Sequence, residues 1–319
     1  MGQAAGEMTV ETMREEKRRP FLVDLMFRLV REKPLGMVGG VIVLILLLVG
    51  IFANWLAPFG YNEIHLADSF TPPSTRYILG TDELGRDLLS RVIYGARISM
   101  YVGLGCSAIG VAFSVTVGCI SGFFGGKTDL LIQRLVDAWM AFPSLMIILA
   151  VMTVVGTGLV QVMVVLGVLF GVSRARVVRS AVISIKENIY VEAARAIGCT
   201  NREILIRHIL PNIMATIIVL FTVDMGTAII TEASISFLGL GIPPPIPSWG
   251  GMLSWAGRQY MRTAPWMALW PGLALAIVVY GINMLGDGLR DLFDPRLRGG
   301  LGRYGGVKAN ISGVNRKSK

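Results

Sequence analysis

Two histidines and three cysteines in 319 residues leave little from which to build a metal or redox centre. His65 and His208 are far apart in the chain, and Cys106, Cys119 and Cys199 have no metal-ligand spacing. Cys106 and Cys119 fall inside an apolar run and read as small core residues. No GxxxxGK[ST] loop is present, so the chain does not itself bind ATP in that way. No Ser-His-Asp spacing appears either, and an enzyme has no footing. Charge is scarce, at 16% of residues. The net charge of +9 would suit nucleic acid, but no aromatic residues interleave with the basic ones, which sit between apolar runs. The 16 methionines are scattered and read as apolar filler rather than a copper site.

Apolar residues are abundant: 53% of the chain, with a mean hydropathy of +0.62. That composition fits an all-α polytopic membrane protein. Six runs are long enough to cross a bilayer core of about 30 Å as helices. They lie near 35–56, 97–123, 130–156, 157–175, 213–240 and 265–289. Residues 1–34 form a charged N-terminal segment, 35–290 the membrane domain, and 291–319 a polar tail. Within the first, FLVDLMFRLV from Phe21 to Val30 is amphipathic and predicts an interfacial helix. The polar start and the length of the first apolar run argue against a cleavable signal peptide. With the N-terminus placed in the cytoplasm, 23 of the 30 Lys and Arg fall in inner segments and 5 in outer ones. Both termini are then cytoplasmic, and Asn310-Ile311-Ser312 is a chance sequon.

Several local features carry expectations. Leu84, Leu88, Leu89, Val92, Ile93 and Ala96 share one helical face, which predicts a stretch lying flat on the membrane. Thr81, Asp82, Arg86 and Asp87 beside it read as caps and salt bridges. Gly118 with Gly122, and Gly167 with Gly171, have the spacing that lets helices approach closely. Pro143 should kink the third span. Pro243, Pro244, Pro245 and Pro247 predict a stiff extended loop on the outer side.

The organising stretch is YVEAARAIGCTNREILIRHILPN, from Tyr190 to Asn212, a polar island between apolar runs. Glu192 to Ala196 are helix formers, and Gly198 supplies the left-handed turn that ends the helix. Thr200 with Glu203 is a capping-box pattern that starts a second helix, carrying Ile204, Leu205, Ile206, Ile209 and Leu210. Pro211 marks its end.

Glu192-Ala193-Ala194, then Gly198, then His208-Ile209-Leu210-Pro211, resembles the EAA loop of permease subunits of bacterial ABC importers. The family pattern ends Ile-x-Leu-Pro; here His208 stands first, and HILPN is similar to the dipeptide, oligopeptide and nickel branch. The blocks around Gly80-Thr81-Asp82 and Gly85-Arg86-Asp87, from Glu232 to Leu253 and from Gly281 to Arg298 resemble the C-type subunit of that branch. The resemblance covers about residues 35–298 and implies a type I importer permease fold with a cytoplasmic coupling helix. It further implies a homologous second permease, two ATPase subunits that bind ATP and Mg, and an extracytoplasmic substrate-binding protein, in a bacterial or archaeal cell membrane. Glu192, Ala193, Ala194, Arg195, Gly198, His208, Leu210 and Pro211 would carry the ATPase coupling. Dipeptides or short oligopeptides are the first substrate class; nickel chelates, glutathione and oligosaccharides are carried by close relatives. An ATP-independent channel or a membrane scaffold are the other classes of function.

Ionisable groups inside a span are costly and face a cavity or a partner. Asp224, near the middle of the fifth run, and Glu232, two turns on, are candidates for the pathway or the subunit interface. The bland reading has them hydrogen-bonded to neighbouring helices. Asp137 and Asp287 lie near span ends, where pairing or snorkelling is expected.

Overall fold

A computed structural model describes residues 21–254 and 259–293, with side chains from Phe27 onward. The tail beyond Phe293 and the Asn310 sequon lie outside the described residues. The regular secondary structure of the described residues is helical apart from one isolated β-bridge, Thr81 to Asp87. The main helices are α1 (Phe21–Glu32), α2 (Pro34–Ile51), α3 (Leu88–Phe124), α4 (Gly126–Met140) and α5 (Ser144–Val155), with short turns of helix at Ala53–Leu56 and Leu66–Asp68. They continue with α6 (Leu159–Lys186), α7 (Ile189–Ala196), α8 (Asn201–Phe237), α9 (Trp249–Leu253) and α10 (Trp266–Phe293). Five of them, α2, α3, α6, α8 and α10, are long and apolar enough to cross a membrane, and the bent pair α4–α5 makes a sixth crossing if counted as one.

Two expectations about these elements change. The stretch Leu84 to Ala96 forms no separate surface helix. Leu88 to Ala96 are the first turns of α3, which runs 37 residues without a break. Asp87 starts it by accepting hydrogen bonds from the Ser90 N–H and hydroxyl, both 2.7 Å. The third span is not kinked but broken, with 89° between α4 and α5. Pro143 has no N–H to continue α4 and pushes Phe142 out of the helical region, so a new helix starts with Pro143 as its cap. No side chain caps that start.

The long helices pack where side chains are small. α3 and α6 approach through both predicted glycine pairs. A Cβ on Gly118 would sit 2.8 Å from the Ala175 carbonyl, and one on Gly171 would sit 2.9 Å from the Gly110 carbonyl. α2 and α10 meet more closely still: a Cβ on Gly39 would lie 2.3 Å from the Gly281 carbonyl oxygen. Val102, Cys106, Met152, Val162, Leu166 and Ala228 fill the core between α3, α5, α6 and α8. Cys119 is only partly buried, against a second cluster described below.

At one end of the bundle lie the start of α3, the end of α8 and the loop that follows it. Thr81 Oγ1 donates to the Asp68 carbonyl at 2.6 Å, and Arg86 pairs with Asp82 at 2.6 Å. The proline loop does not run extended. It turns at Pro244 and Pro245, and the Ile242 N–H donates to Ser236 Oγ at 3.2 Å, holding the loop back on α8.

Candidate functional site

At the other end, the stretch 187–209 forms an elbow between α6 and the membrane part of α8. Asn188 begins it, its Nδ2 donating to the Ser184 and Ile185 carbonyls at 3.1 and 3.0 Å. α7 then runs eight residues and stops at Gly198, where φ is +92°. The Cys199 N–H bonds to the Ala194 carbonyl and the Gly198 N–H to the Arg195 carbonyl, both at 3.1 Å. This pair of bonds is the Schellman ending, which needs a left-handed residue at position 198. The predicted capping box follows: Thr200 Oγ1 accepts from the Glu203 N–H at 3.3 Å, and Glu203 Oε2 accepts from the Thr200 N–H at 2.8 Å. Two abutting caps make the corner stiff.

Pro211 does not end the second helix. Ile204–Ile209 form a π-helical turn in which the Leu210 N–H reaches back five residues to Leu205, and α8 continues to Phe237. A regular α-helix would drive the Pro211 ring into the Arg207 carbonyl, four residues back. The wider turn relieves that clash. Asn212 Nδ2 donates to the His208 carbonyl at 2.6 Å, which answers one of the carbonyls left over.

The elbow has two faces. Val191, Ala194, Ile204, Ile209 and Ile213 are buried against Phe123 at the end of α3 and Val178 and Val182 of α6. Lys186 Nζ donates to the Phe123 carbonyl at 2.6 Å, fixing the elbow's base to the last turn of α3. The opposite face is open. Glu192, Ala193, Arg195, Ala196 and Gly198 are exposed, flanked by Ile189 at 84% and Ile197 at 82% exposure. Ile189, Ala193 and Ile197 recur every four residues and form one apolar stripe along α7 and its C-cap, edged by Glu192 and Arg195.

Of the sequence-predicted coupling residues, Glu192, Ala193, Arg195 and Gly198 therefore share the open face, while Ala194 packs inward. His208 is half-buried, its ring 6.5 Å from that of Tyr190. Leu210 is partly buried in the same cluster, and Pro211 is exposed on α8. Ile189 and Ile197 were missed. Their signal was the four-residue spacing around Ala193, masked because isoleucine in this chain usually means lipid or core.

The helix leading into the elbow is cross-tied by arginines. Arg174 Nε lies 2.8 Å from Asp224 Oδ1 on α8. Arg179 grips Asp129 of α4 through Nε and Nη2, at 2.6 and 2.5 Å, and Arg176 pairs with Asp137 of α4. Asp224 is thus buried against α6. Glu232, equally buried, accepts from Ser236 Oγ at 2.6 Å within α8. The Thr222, Thr227 and Thr231 hydroxyls bond back to carbonyls of their own helix.

A bundle of membrane-spanning helices carrying a rigid elbow with an open apolar stripe has the build of a transport permease driven from outside its own chain. Residues 114–299 match the family described as "Binding-protein-dependent transport system inner membrane component", and residues 22–73 match "N-terminal TM domain of oligopeptide transport permease C". The chain is 40% identical over 272 residues to the dipeptide transport system permease protein DppC of Alkalihalophilus pseudofirmus, covering 85% of this chain and 89% of that one. It is 38% identical over 275 residues to the oligopeptide transport system permease protein OppC of Bacillus subtilis, covering 86% and 90%. It is 40% identical over 274 residues to the glutathione transport system permease protein GsiD of Escherichia coli O157:H7, covering 86% and 90%. The chain belongs to the binding-protein-dependent transport system inner membrane components: it is a multi-pass, non-catalytic permease subunit of an ABC importer.

Proposed function

We propose that this chain forms half of the pore of an ATP-driven importer of dipeptides or short oligopeptides. Residues 35–290 are the membrane domain, 1–34 and 291–319 flank it, and both termini face the cytoplasm. A homologous second permease completes the pore. Two ATPase subunits holding ATP and Mg engage the 190–212 elbow, and an extracytoplasmic binding protein delivers substrate. Glu192, Ala193, Arg195 and Gly198 touch the ATPase directly. Ala194, His208, Leu210 and Pro211 hold the elbow's shape.

The observation that carries this reading is the apolar stripe Ile189–Ala193–Ile197 on an elbow capped at both sides of Gly198. Exposed apolar side chains on a polar segment outside the membrane mark a docking face. ATP closure of the ATPase pair moves that face, and α6 and α8 carry the motion inward. The ATPase must grip the two states of the permease unequally, or nothing shifts. The α4–α5 break supports a second permease. α5 has 12 residues, about 18 Å of helix, and is too short to cross the bilayer alone, so the uncapped corner at Ala141–Pro143 lies within it. Lipid offers such backbone no hydrogen bonds; a second subunit or a wet pathway between subunits does. Asp224 and Glu232 serve that pathway or interface indirectly, as ties that shape α8; wild-type transport and assembly in Asp224→Asn would remove Asp224 from it.

The test is purification through this chain in mild detergent. Two ATPase subunits and a second permease should accompany it, and recovery of the chain with no ATPase would overturn the proposal. The ligand carried by the system's binding protein identifies the substrate. Glutathione is the second reading, favoured by 40% identity to the GsiD permease. Nickel chelates or oligosaccharides are further outcomes of the same measurement.

A further inference from the structure

A cavity of about 430 Å³ opens at the end of the bundle remote from the elbow, between the start of α3, the proline loop and α9. Its walls include Asp82, Glu83, Arg86 and Arg91. Three of these charges are nearly buried: Asp82 at 5%, Arg86 at 7% and Arg91 at 8% exposure. Buried charges need close partners, and here the pairing is uneven.

Asp82 and Arg86 satisfy each other. Asp82 Oδ2 accepts from Arg86 Nε at 2.6 Å, and Oδ1 accepts the Leu84 and Arg86 N–H groups at 2.9 and 3.0 Å. Arg91 is weakly met: its Nε forms a long ion pair with Asp82 at 3.6 Å, too far for a hydrogen bond, and among the described residues its one hydrogen bond is from Nη1 to the neutral Tyr61 carbonyl at 3.0 Å. Glu83 is only half met. Its Oε1 accepts from Arg86 Nη2 at 3.3 Å, an ion pair at the open side of a side chain 27% exposed, while its Oε2 has no partner among the described residues. One guanidinium and one carboxylate thus stand under-paired at the wall of a single cavity of small-ligand size.

We propose that this cavity receives a small zwitterion, Glu83 taking its ammonium and Arg91 its carboxylate. That the zwitterion is a short peptide rests on the importer reading above. Free ammonium and carboxylate ends are what a linear peptide presents, and a buried charge left half-met discriminates strongly against a ligand lacking the matching group.

The test uses the whole assembly, purified through this chain into lipid nanodiscs without its binding protein, and labelled alanyl-alanine in equilibrium dialysis. Saturable binding is expected. N-acetyl-alanyl-alanine and alanyl-alanine amide should each compete at least about tenfold less well, and Glu83→Gln should weaken binding by a similar factor. Ile246→Trp, at a cavity-lining position 37% exposed, narrows the mouth without touching the core and should abolish binding. Absence of saturable binding, equal competition by the capped peptides, or unchanged binding in Ile246→Trp would overturn the site. Uptake of alanyl-alanine by the complete system in proteoliposomes separates the two readings. Uptake without cavity binding sinks the site and leaves the importer; cavity binding without uptake leaves the site and sinks the peptide importer.

Discussion

Arg174 and Asp224 meet across α6 and α8, Nε to Oδ1 at 2.8 Å, tying together two helices long and apolar enough to cross a membrane. Asp224 is 1% exposed and Arg174 33%, so the pair is buried on one side only. Losing one partner of a fully buried pair costs about 3–5 kcal/mol; the exposure of Arg174 brings this to about 2 kcal/mol. Asp224→Asn and Arg174→Met should each lower the thermal midpoint of the purified assembly. The double variant should fall by less than the sum, as for residues that act as a pair. Additive losses would show that they are not coupled.

Gly198 has φ +92° and open space where a Cβ would go, so backbone conformation alone constrains it. The left-handed region costs an ordinary residue about 1–2 kcal/mol, and a β-branched one more. Gly198→Ala should weaken coupling and Gly198→Val should abolish it, with ATP hydrolysis continuing without uptake. Paired ATPase and uptake assays in proteoliposomes read the ratio. Coupled uptake in Gly198→Val would contradict a stiff elbow.

Ile189 and Ile197 are exposed and make no core contact, so Ile197→Glu should change stability by less than about 0.5 kcal/mol. It should nevertheless release the ATPase subunits. Co-purification after a mild wash measures this, with Ile206→Glu, 52% exposed on α8 beyond the stripe, as the control that should retain them.

The α2–α10 contact gives a sharp contrast between two glycines. Gly39→Ala places a methyl 2.3 Å from the Gly281 carbonyl and should destabilise by about 1–3 kcal/mol through forced separation of the helices. In Gly272→Ala the new methyl would lie 3.7 Å from the flexible Leu253 side chain. That change should stabilise by about 0.5–1 kcal/mol, because glycine inside a helix is costly. Thermal midpoints of the two assemblies should move in opposite directions.

Local grammar predicted much of this architecture. Gly198, Thr200 and Glu203 specified both caps of the elbow, because each acts through neighbours within five residues. The glycine pairs of α3 and α6 foretold a close approach, though not to which helix, since that depends on partners far along the chain. Prolines were the harder residues. Pro143 broke a helix expected to bend, and Pro211 sat in one expected to stop. A proline removes one donor wherever it falls; whether the helix survives depends on what else answers the loose carbonyls. Near Pro211 there is Asn212, whereas no side chain caps the start of α5 after Pro143. The carboxylates Asp224 and Glu232 were found by their cost inside an apolar run, but Arg174 as a partner was invisible in a segment counted only for topology.

The bare seam between Gly39 and Gly281 joins residues separated by roughly 240 positions. During synthesis the first span is made with its narrow side unmatched, and its complement follows only after those intervening residues. Until then that groove is open to lipid or to any other small-residue helix nearby. A chain shortened before its final span would therefore expose a sticky edge at its beginning, giving quality-control proteases a signal that the whole protein has not arrived.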